Sequence, residues 1–268
     1  MRAGHLPGLP AMPCERRVLP ANRRRYSWAM ARARKSSSAR GRARINPLAW
    51  LARWGLRLSV ISVLVVLGVI AAHREIDPPR TFYMGQEARR LGGIRHDWVP
   101  TERIAPVMAR SLVAAEDANF CQHWGFDMAA IRTAISEGSG RGASTLSQQV
   151  VKNVYLWHGR NWARKALEAV MTPVVETFWP KRRIIEVYLN VAEFDEGVFG
   201  VEAAARHYFG VSARDLSDVQ AARLAAVLPG PKDRSAANPT AALRKRAAGI
   251  LDGAATIRRD GRAACFED

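Results

Sequence analysis

The longest apolar segment of the chain lies near its N-terminus. Residues 56–72 read LRLSVISVLVVLGVIAA, with no charge after Arg57 and no proline. The run is slightly short for a bilayer crossing, but the two tryptophans and the leucine just before it extend it. We therefore predict a transmembrane helix over residues 51–72. A buried core helix and the apolar part of a signal peptide are the alternatives.

Beyond this segment the pattern changes to short amphipathic helices. Residues 73–95 are polar, contain Pro78 and Pro79 and follow no clear period, which predicts an irregular linker. Over residues 96–250, apolar positions recur at helical spacing and no run alternates with a period of two. The pattern predicts an all-α domain over 96–250 and a C-terminal tail over 251–268.

Local signals mark individual helices of this domain. Asp127 is a suitable N-cap for MAAIRTAIS, and Thr145 with Gln148 forms a capping-box pattern before LSQQVVKNVYLW. The glycine-rich residues 137–144 between these helices predict a flexible hinge. A later helix contains Pro173, which predicts a kink, and one apolar stripe made of Ala163, Leu167, Val170, Met171, Val174 and Phe178.

The net charge of +17 is concentrated before the apolar segment. Residues 1–57 hold 14 Lys and Arg with one acid, whereas the rest of the chain holds 27 bases and 23 acids. The arginine-rich composition predicts a disordered tail over 1–50, and Met30 is an alternative start. The positive-inside rule places this tail in the cytoplasm and the body outside it. Membrane topology therefore explains the excess of positive charge, and binding to nucleic acid is not needed to account for it.

The three cysteines show no metal-binding spacing. Cys14 belongs to the tail, whereas Cys121 and Cys265 belong to the body. The latter two could form a disulfide or remain free thiols, and the sequence leaves both possibilities open.

The first candidate for chemistry is Glu116, at the end of the apolar helix TERIAPVMARSLVAAED. Burial and the negative end of the helix dipole would both raise the pKa of its carboxyl group. A carboxylate tuned towards neutral pH can act as a general base on a sugar hydroxyl. The alternative is a structural carboxylate in an unfavourable position.

Two further clusters could bind sugar and phosphate. In the first, hydroxyls and free N–H groups at a helix start precede one polar face, made of Ser144, Thr145, Gln148, Gln149, Lys152 and Asn153. A solvated helix face is the alternative. In the second, Arg164, Lys165 and Glu168 are either a surface ion pair or a pyrophosphate site, acting directly or through a divalent cation.

Taken in order, these clusters resemble the motifs of one family. The pattern E-D-x-x-F-x-x-H-x-G-x-D is complete at residues 116–127, and GASTLSQQVVKN, RKALE and EVYLN follow at 142–153, 164–168 and 186–190. The chain resembles family-51 glycosyltransferases, the transglycosylase module of penicillin-binding proteins, over about residues 95–240. Since no transpeptidase motif follows, it resembles the monofunctional biosynthetic peptidoglycan branch.

The resemblance implies a lysozyme-like α fold and a lipid II polymerase. Glu116 would be the general base, and Glu168 a second catalytic residue that positions loosely bound Mg²⁺ or Mn²⁺. Lys152 and Arg164 would stabilise the pyrophosphate leaving group. The substrate-binding set would be Asp117, Phe120, Ser144, Thr145, Gln148, Gln149, Lys152, Asn153, Arg164 and Lys165. Asp117 and Phe120 also suit a frame that holds Glu116.

The resemblance further implies substrates and a location. The substrates would be lipid II and the undecaprenyl-pyrophosphate glycan, and an apolar surface near residues 126–146 would contact membrane lipid. The chain would be a single-pass inner-membrane protein with a periplasmic catalytic domain, and division or elongation proteins would be its partners. A lysozyme-like or lytic glycan-cleaving enzyme and an inactive division scaffold are the alternative functions.

Overall fold

A computed structural model of the protein describes residues 47–137, 144–159 and 161–267. Most of the expected N-terminal tail, Cys14 and the glycines of the expected hinge lie outside these residues. The helices are α1 Pro47–Ala72, α2 Phe82–Leu91, α3 Pro106–Glu116, α4 Met128–Ser136, α5 Leu146–Tyr155, α6 Trp162–Phe178, α7 Lys181–Val191, α8 Val201–Phe209, α9 Asp218–Val227, α10 Ala241–Arg259 and α11 Ala264–Glu267.

Helix α1 contains the predicted membrane segment and begins before residue 51. Its 26 residues extend about 39 Å, enough for a hydrocarbon core of about 30 Å. It is the one helix in the described ranges that is long and apolar enough to cross a membrane. Because nearly all of its large apolar side chains are exposed, it is not the buried core helix considered as an alternative.

The expected linker over residues 73–95 is largely part of the folded body. Thr81 caps α2, and Met84 and Glu87 on that helix are buried. Helix α2 packs on α5, and residues 51–268 form one compact unit. The sequence did not indicate this helix, because only one narrow side of it is buried and the segment is polar.

The expected C-terminal tail is also part of the body. Helix α10 continues past residue 250, packs along α3 and α9, and buries Ile257. After it, Phe266 of α11 is buried, and Cys265 forms a disulfide with Cys121. The boundary predicted at residue 250 was therefore wrong, because this helix is amphipathic throughout and its buried side faces α3.

The fold is all-α, as predicted, with one small sheet added. Its strands are β1 Arg95–His96, β2 Glu193–Asp195 and β3 Val198–Phe199. The strand order is β1-β3-β2, with β1 parallel and β2 antiparallel to β3. Strands of two or three residues are too short to produce a period-two pattern. The core between α3, α5, α7 and α9 includes Met108, Leu112, Phe120, Leu146, Ile184, Leu189 and Leu224.

Helix α6 buries only part of its predicted apolar stripe, since Met171, Val174 and Phe178 pack against the core. Leu167 is 44% exposed and Val170 69% exposed, whereas Glu168, Thr172 and Glu176 are buried. The helix runs through Pro173 without ending. Val175 is buried with Glu168, Thr172 and Glu176, and the buried polar side chains have hydrogen-bond partners inside the protein, including Ser147 on α5 for Glu176.

Candidate active site

Glu116 is the last residue of α3 and lies in a partly enclosed position. Its side chain is 15% exposed. Its Oε2 accepts a hydrogen bond from Gln149 Nε2 at 3.1 Å, and Arg246 Nη2 lies 3.5 Å from Oε1. Burial raises the pKa of this carboxyl group, against the hydrogen bond from Gln149 and the positive charges of Arg246, Lys152 and Arg234. A carboxyl group with a raised pKa suits general-base catalysis.

The next residue, Asp117, belongs to the frame behind Glu116. Its Oδ1 lies 2.8 Å from His123 Nε2, and its Oδ2 accepts the Leu146 N–H at 2.9 Å. Both carboxylate oxygens are therefore occupied, and Phe120 is fully buried. The expectation that Asp117 and Phe120 bind substrate is not supported, because these groups connect the end of α3 to the start of α5.

A glycine of the first motif allows close packing in the same frame. Gly125 has a φ of +83°, and a Cβ placed there would lie 2.7 Å from Thr172 Cγ2. Its carbonyl accepts a 2.7 Å hydrogen bond from Thr145 Oγ1. A larger residue would be strained and would separate this loop from α5 and α6.

The start of α5 confirms the predicted capping box. Thr145 and Gln148 each bond the other's main-chain N–H, and both are buried. These two residues therefore stabilise the helix terminus and do not line the cleft as expected for substrate binding. Ser144, just before them, accepts a 3.2 Å hydrogen bond from Lys165 Nζ.

Gln149, Lys152 and Asn153 line a cleft of about 320 Å³ together with Tyr188. Burial lowers the pKa of Lys152, and the negative charge of Glu168 opposes this effect. Within the described ranges, no carboxylate lies within ion-pair distance of Lys152 Nζ. The cleft thus presents two amides and an ammonium group without an ion-pair partner, which suit sugar and phosphate oxygens. Lys232, Glu193 and Asp233 also line it.

Glu168 is a buried residue of α6 and pairs with two cations. Arg164 Nη1 donates to its Oε2 at 2.8 Å, and Lys165 Nζ donates to its Oε1. Arg164 Nε also donates to the Gly159 carbonyl at 3.0 Å. The three predicted residues therefore form one cluster, in which the cations are held beside the start of α5.

This donor set does not fit the divalent cation expected at Glu168. Both carboxylate oxygens face Arg164 and Lys165, whereas Mg²⁺ requires free oxygen ligands. Across the described residues, no group of three or more His, Cys, Asp or Glu side chains could hold a metal ion. Glu168 instead pairs with Arg164 and Lys165 and links these two basic residues.

Three residues near Glu116 were absent from the predicted site. Tyr188 lies within the recognised EVYLN motif but carried no assigned role. Arg246 and Arg234 come from segments far along the chain, and no local pattern distinguishes them from other arginines. A larger cavity of about 580 Å³ lies at the opposite end of α3, beside Pro106 and Phe266, and holds none of the predicted site residues.

Comparisons with known proteins show the family of this chain. Residues 84–255 match the family described as Transglycosylase. The chain is 60% identical over 235 residues to a biosynthetic peptidoglycan transglycosylase of Jannaschia sp. (strain CCS1), an alignment covering 88% of this chain and 98% of that protein. Proteins of the same name from Caulobacter vibrioides (46% identity; 78% and 94% covered) and Pseudomonas fluorescens SBW25 (47%; 81% and 90%) are also similar.

Proposed function

Because this chain belongs to the transglycosylase family, we propose that it polymerises the glycan strands of peptidoglycan. It transfers the growing undecaprenyl-pyrophosphate-linked glycan onto the 4-hydroxyl group of the GlcNAc of lipid II. The anomeric centre is inverted, and a β-1,4 linkage results. The substrate chemistry follows from the family, and the residues of the cleft are consistent with it.

One observation carries the proposal: Glu116, a carboxylate with a raised pKa, is hydrogen-bonded to Gln149, which lines the same cleft as Lys152. The two charges are close enough for Lys152 to act against the raised pKa of Glu116. A base at one end and a cation at the other are what a hydroxyl nucleophile and a pyrophosphate leaving group require.

In the proposed reaction, Glu116 accepts the proton of the attacking 4-hydroxyl group. The hydroxyl oxygen forms a bond to the anomeric carbon of the donor MurNAc while the bond from that carbon to the pyrophosphate oxygen breaks. The electron pair leaves with undecaprenyl pyrophosphate. Lys152 stabilises its developing charge, and Arg164 and Lys165 extend the positive field.

No step of this mechanism requires a metal ion bound to Glu168. Mg²⁺ or Mn²⁺ remains a prediction for the reaction, and pyrophosphate oxygens are ligands that such ions prefer. We place any such ion on the substrate, because the oxygens of Glu168 are already paired with Arg164 and Lys165.

Two independent features support a body outside the cytoplasm. The arginine excess precedes α1, which favours a cytoplasmic N-terminus. The disulfide between Cys121 and Cys265 is typical of an oxidising compartment such as the periplasm. We therefore propose a single-pass inner-membrane protein whose catalytic domain is periplasmic.

The contacts of α1 support a cleft close to the membrane. Trp179 Nε1 donates to the Ile70 carbonyl at 2.6 Å, and Arg183 donates to the carbonyls of His73 and Ile76 at 3.1 and 3.0 Å. These bonds join the end of α1 to the junction of α6 and α7. The substrate's polyprenyl tail stays in the bilayer, so tethering raises its effective concentration at the cleft.

Exposed apolar side chains on α4 support contact with membrane lipid. Met128 is 54% exposed and Ile135 is 76% exposed, and every residue of α4 is at least partly exposed. We propose that this helix enters the lipid interface, as the sequence predicted for residues 126–146. Contacts with division or elongation proteins remain a prediction.

Labelled lipid II tests the function. The full chain in detergent micelles or vesicles is expected to convert it into polymer, and Glu116→Gln is expected to slow this conversion strongly. A lytic enzyme would instead shorten preformed glycan strands and leave lipid II unchanged, and an inactive scaffold would change neither. Full polymerisation by Glu116→Gln would contradict the assignment of the base.

A further inference from the structure

We propose that Tyr188 is a positioning residue for the catalytic base. Its hydroxyl group holds the Gln149 side chain so that the amide N–H group, and not the amide oxygen, faces Glu116. The inference rests on the proposed function, since it concerns the base of that reaction.

The relay consists of two hydrogen bonds across three helices. Tyr188 Oη on α7 donates to Gln149 Oε1 on α5 at 3.1 Å. Gln149 Nε2 donates to Glu116 Oε2 on α3, also at 3.1 Å. Tyr188 is 3% exposed, so solvent does not replace its hydroxyl group. Burial and the nearby Glu116 raise the pKa of Tyr188 well above its usual value, and the hydroxyl group therefore remains a donor.

The orientation of the amide matters because its two ends act in opposite ways. A carboxylate only accepts hydrogen bonds, so an amide N–H group stabilises its ionised form, whereas an amide oxygen repels it. Gln149 is partly exposed to the cleft, where water and sugar hydroxyls compete for both of its ends. By occupying Oε1, Tyr188 leaves the N–H group available for Glu116.

The other charged groups around Glu116 cannot replace this role. Arg246 of α10, Arg234 before that helix and Lys152 of α5 contribute positive charge. Of these, Arg246 lies nearest to the carboxylate, at 3.5 Å. Their positive charge favours the ionised form of Glu116, but they do not fix the orientation of the Gln149 amide.

The test is the pH dependence of kcat/KM for Tyr188→Phe, a variant that lacks one oxygen atom. The base must be ionised, so activity falls as the pH drops through the pKa of Glu116. Loss of the fixed N–H donor raises that pKa further, and we expect the acid limb to move up by about half to one pH unit. At pH values below this acid limb, kcat/KM of the variant should be roughly three- to tenfold lower than that of the unchanged protein. At alkaline pH it should change little.

Tyr155→Phe is the matched control. Its hydroxyl group lies 3.1 Å from His73 Nδ1, next to α1 and outside the relay. It removes the same atom from a partly buried tyrosine, and we expect its acid limb to coincide with that of the unchanged protein.

A double-mutant cycle with Gln149→Met tests whether Tyr188 acts through the amide. Gln149→Met alone should move the limb in the same direction, and adding Tyr188→Phe should then move it no further. An unmoved limb in Tyr188→Phe, or two additive shifts, would overturn the proposal. If Tyr188→Phe did not fold, an unmoved limb in Gln149→Met would overturn it in the same way. Absence of polymer from the unchanged protein would instead refute the proposed function.

Discussion

Glu116 and Glu168 are both enclosed glutamates on helices beside one cleft, but their charges are compensated differently. Glu168 has both oxygens bonded to cations, Arg164 and Lys165. Glu116 has one amide donor at 3.1 Å, and its nearest cation lies at 3.5 Å. Accordingly, burial leaves Glu116 with a raised pKa. Glu116, whose charge is incompletely compensated, can accept a proton, whereas Glu168 holds the two cations with which it pairs.

The lysines show the same division. Lys165 bonds Glu168 and Ser144, whereas Lys152 has no carboxylate within ion-pair distance in the part of the chain that the structure describes. An uncompensated partly buried cation is unfavourable without a ligand. If the less fully paired groups are the ones that meet the substrate, Glu116 and Lys152 should affect the reaction most, and each prediction below tests this distinction.

Removing the carboxylate charge of Glu116 should have the largest effect. We expect Glu116→Gln to lower the rate of lipid II polymerisation by about 10²- to 10⁴-fold. Because the folded-state pKa is raised, ionised Glu116 opposes folding above that pKa, and the melting temperature at pH 7 should not fall. Polymerisation and thermal denaturation are measured on the same preparation. A large loss of stability would mean that Glu116 belongs to the structural frame.

Removing the uncompensated lysine should have the next largest effect. We expect Lys152→Met to lower kcat by about 10²- to 10³-fold, because the leaving group loses its nearest cation. The melting temperature should stay unchanged or rise, because the substitution breaks no ion pair. Lys245→Met, at an exposed position on α10, is the control and should retain full activity. A comparable loss in the control would indicate a non-specific effect of charge.

Neutralising Glu168 should have a smaller effect on the rate and a larger effect on stability. We expect Glu168→Gln to lower kcat by about tenfold to a hundredfold, because Arg164 and Lys165 lose their common partner and shift. Glu202→Gln removes a similarly buried carboxylate paired with Arg206 at 2.7 Å. It should lower stability comparably without changing the activity of the folded enzyme.

The same Glu168→Gln variant tests the metal ion. The response of polymerisation to added Mg²⁺, Mn²⁺ or chelator should match that of the unchanged enzyme. Loss of the metal response in this variant alone would restore Glu168 as a metal ligand.

Breaking the disulfide should have the smallest effect on the reaction. The bond between Cys121 and Cys265 joins residues 144 positions apart, and its loss should destabilise the fold by about 2–5 kcal/mol. We expect Cys265→Ser to melt at a lower temperature and to polymerise within about threefold of the normal rate. If the variant lost more than about tenfold in rate at temperatures below its melting range, α11 would belong to the frame that holds Glu116.

Much of the site could be predicted because its signals are local. The capping box of Thr145 and Gln148, the N-cap Asp127 and the helix that ends at Glu116 depend on neighbouring residues only. Helix α2 and the end of α10 were missed, because their burial depends on contacts with distant helices.

The two adjacent glutamines show where local information ends. Gln148 is buried in the cap, and Gln149 faces Glu116. A rotation of about 100° per residue separates their directions on the helix. The packing of α5 against α3 and α7 decides which of the two side chains faces Glu116. The two glutamines alone do not reveal that packing.

The sequence by itself determined the helical class, the apolar segment and the motifs, and it made Glu116 the candidate for the base. Only the tertiary structure decided that Asp117 and Phe120 form a frame, that Glu168 is paired with cations, that Lys152 is not paired with a carboxylate, and that Cys121 meets Cys265. The physical reason is the range of the interactions. Helix period and capping act within a few residues, whereas charge compensation and burial depend on groups that packing brings together from distant parts of the chain.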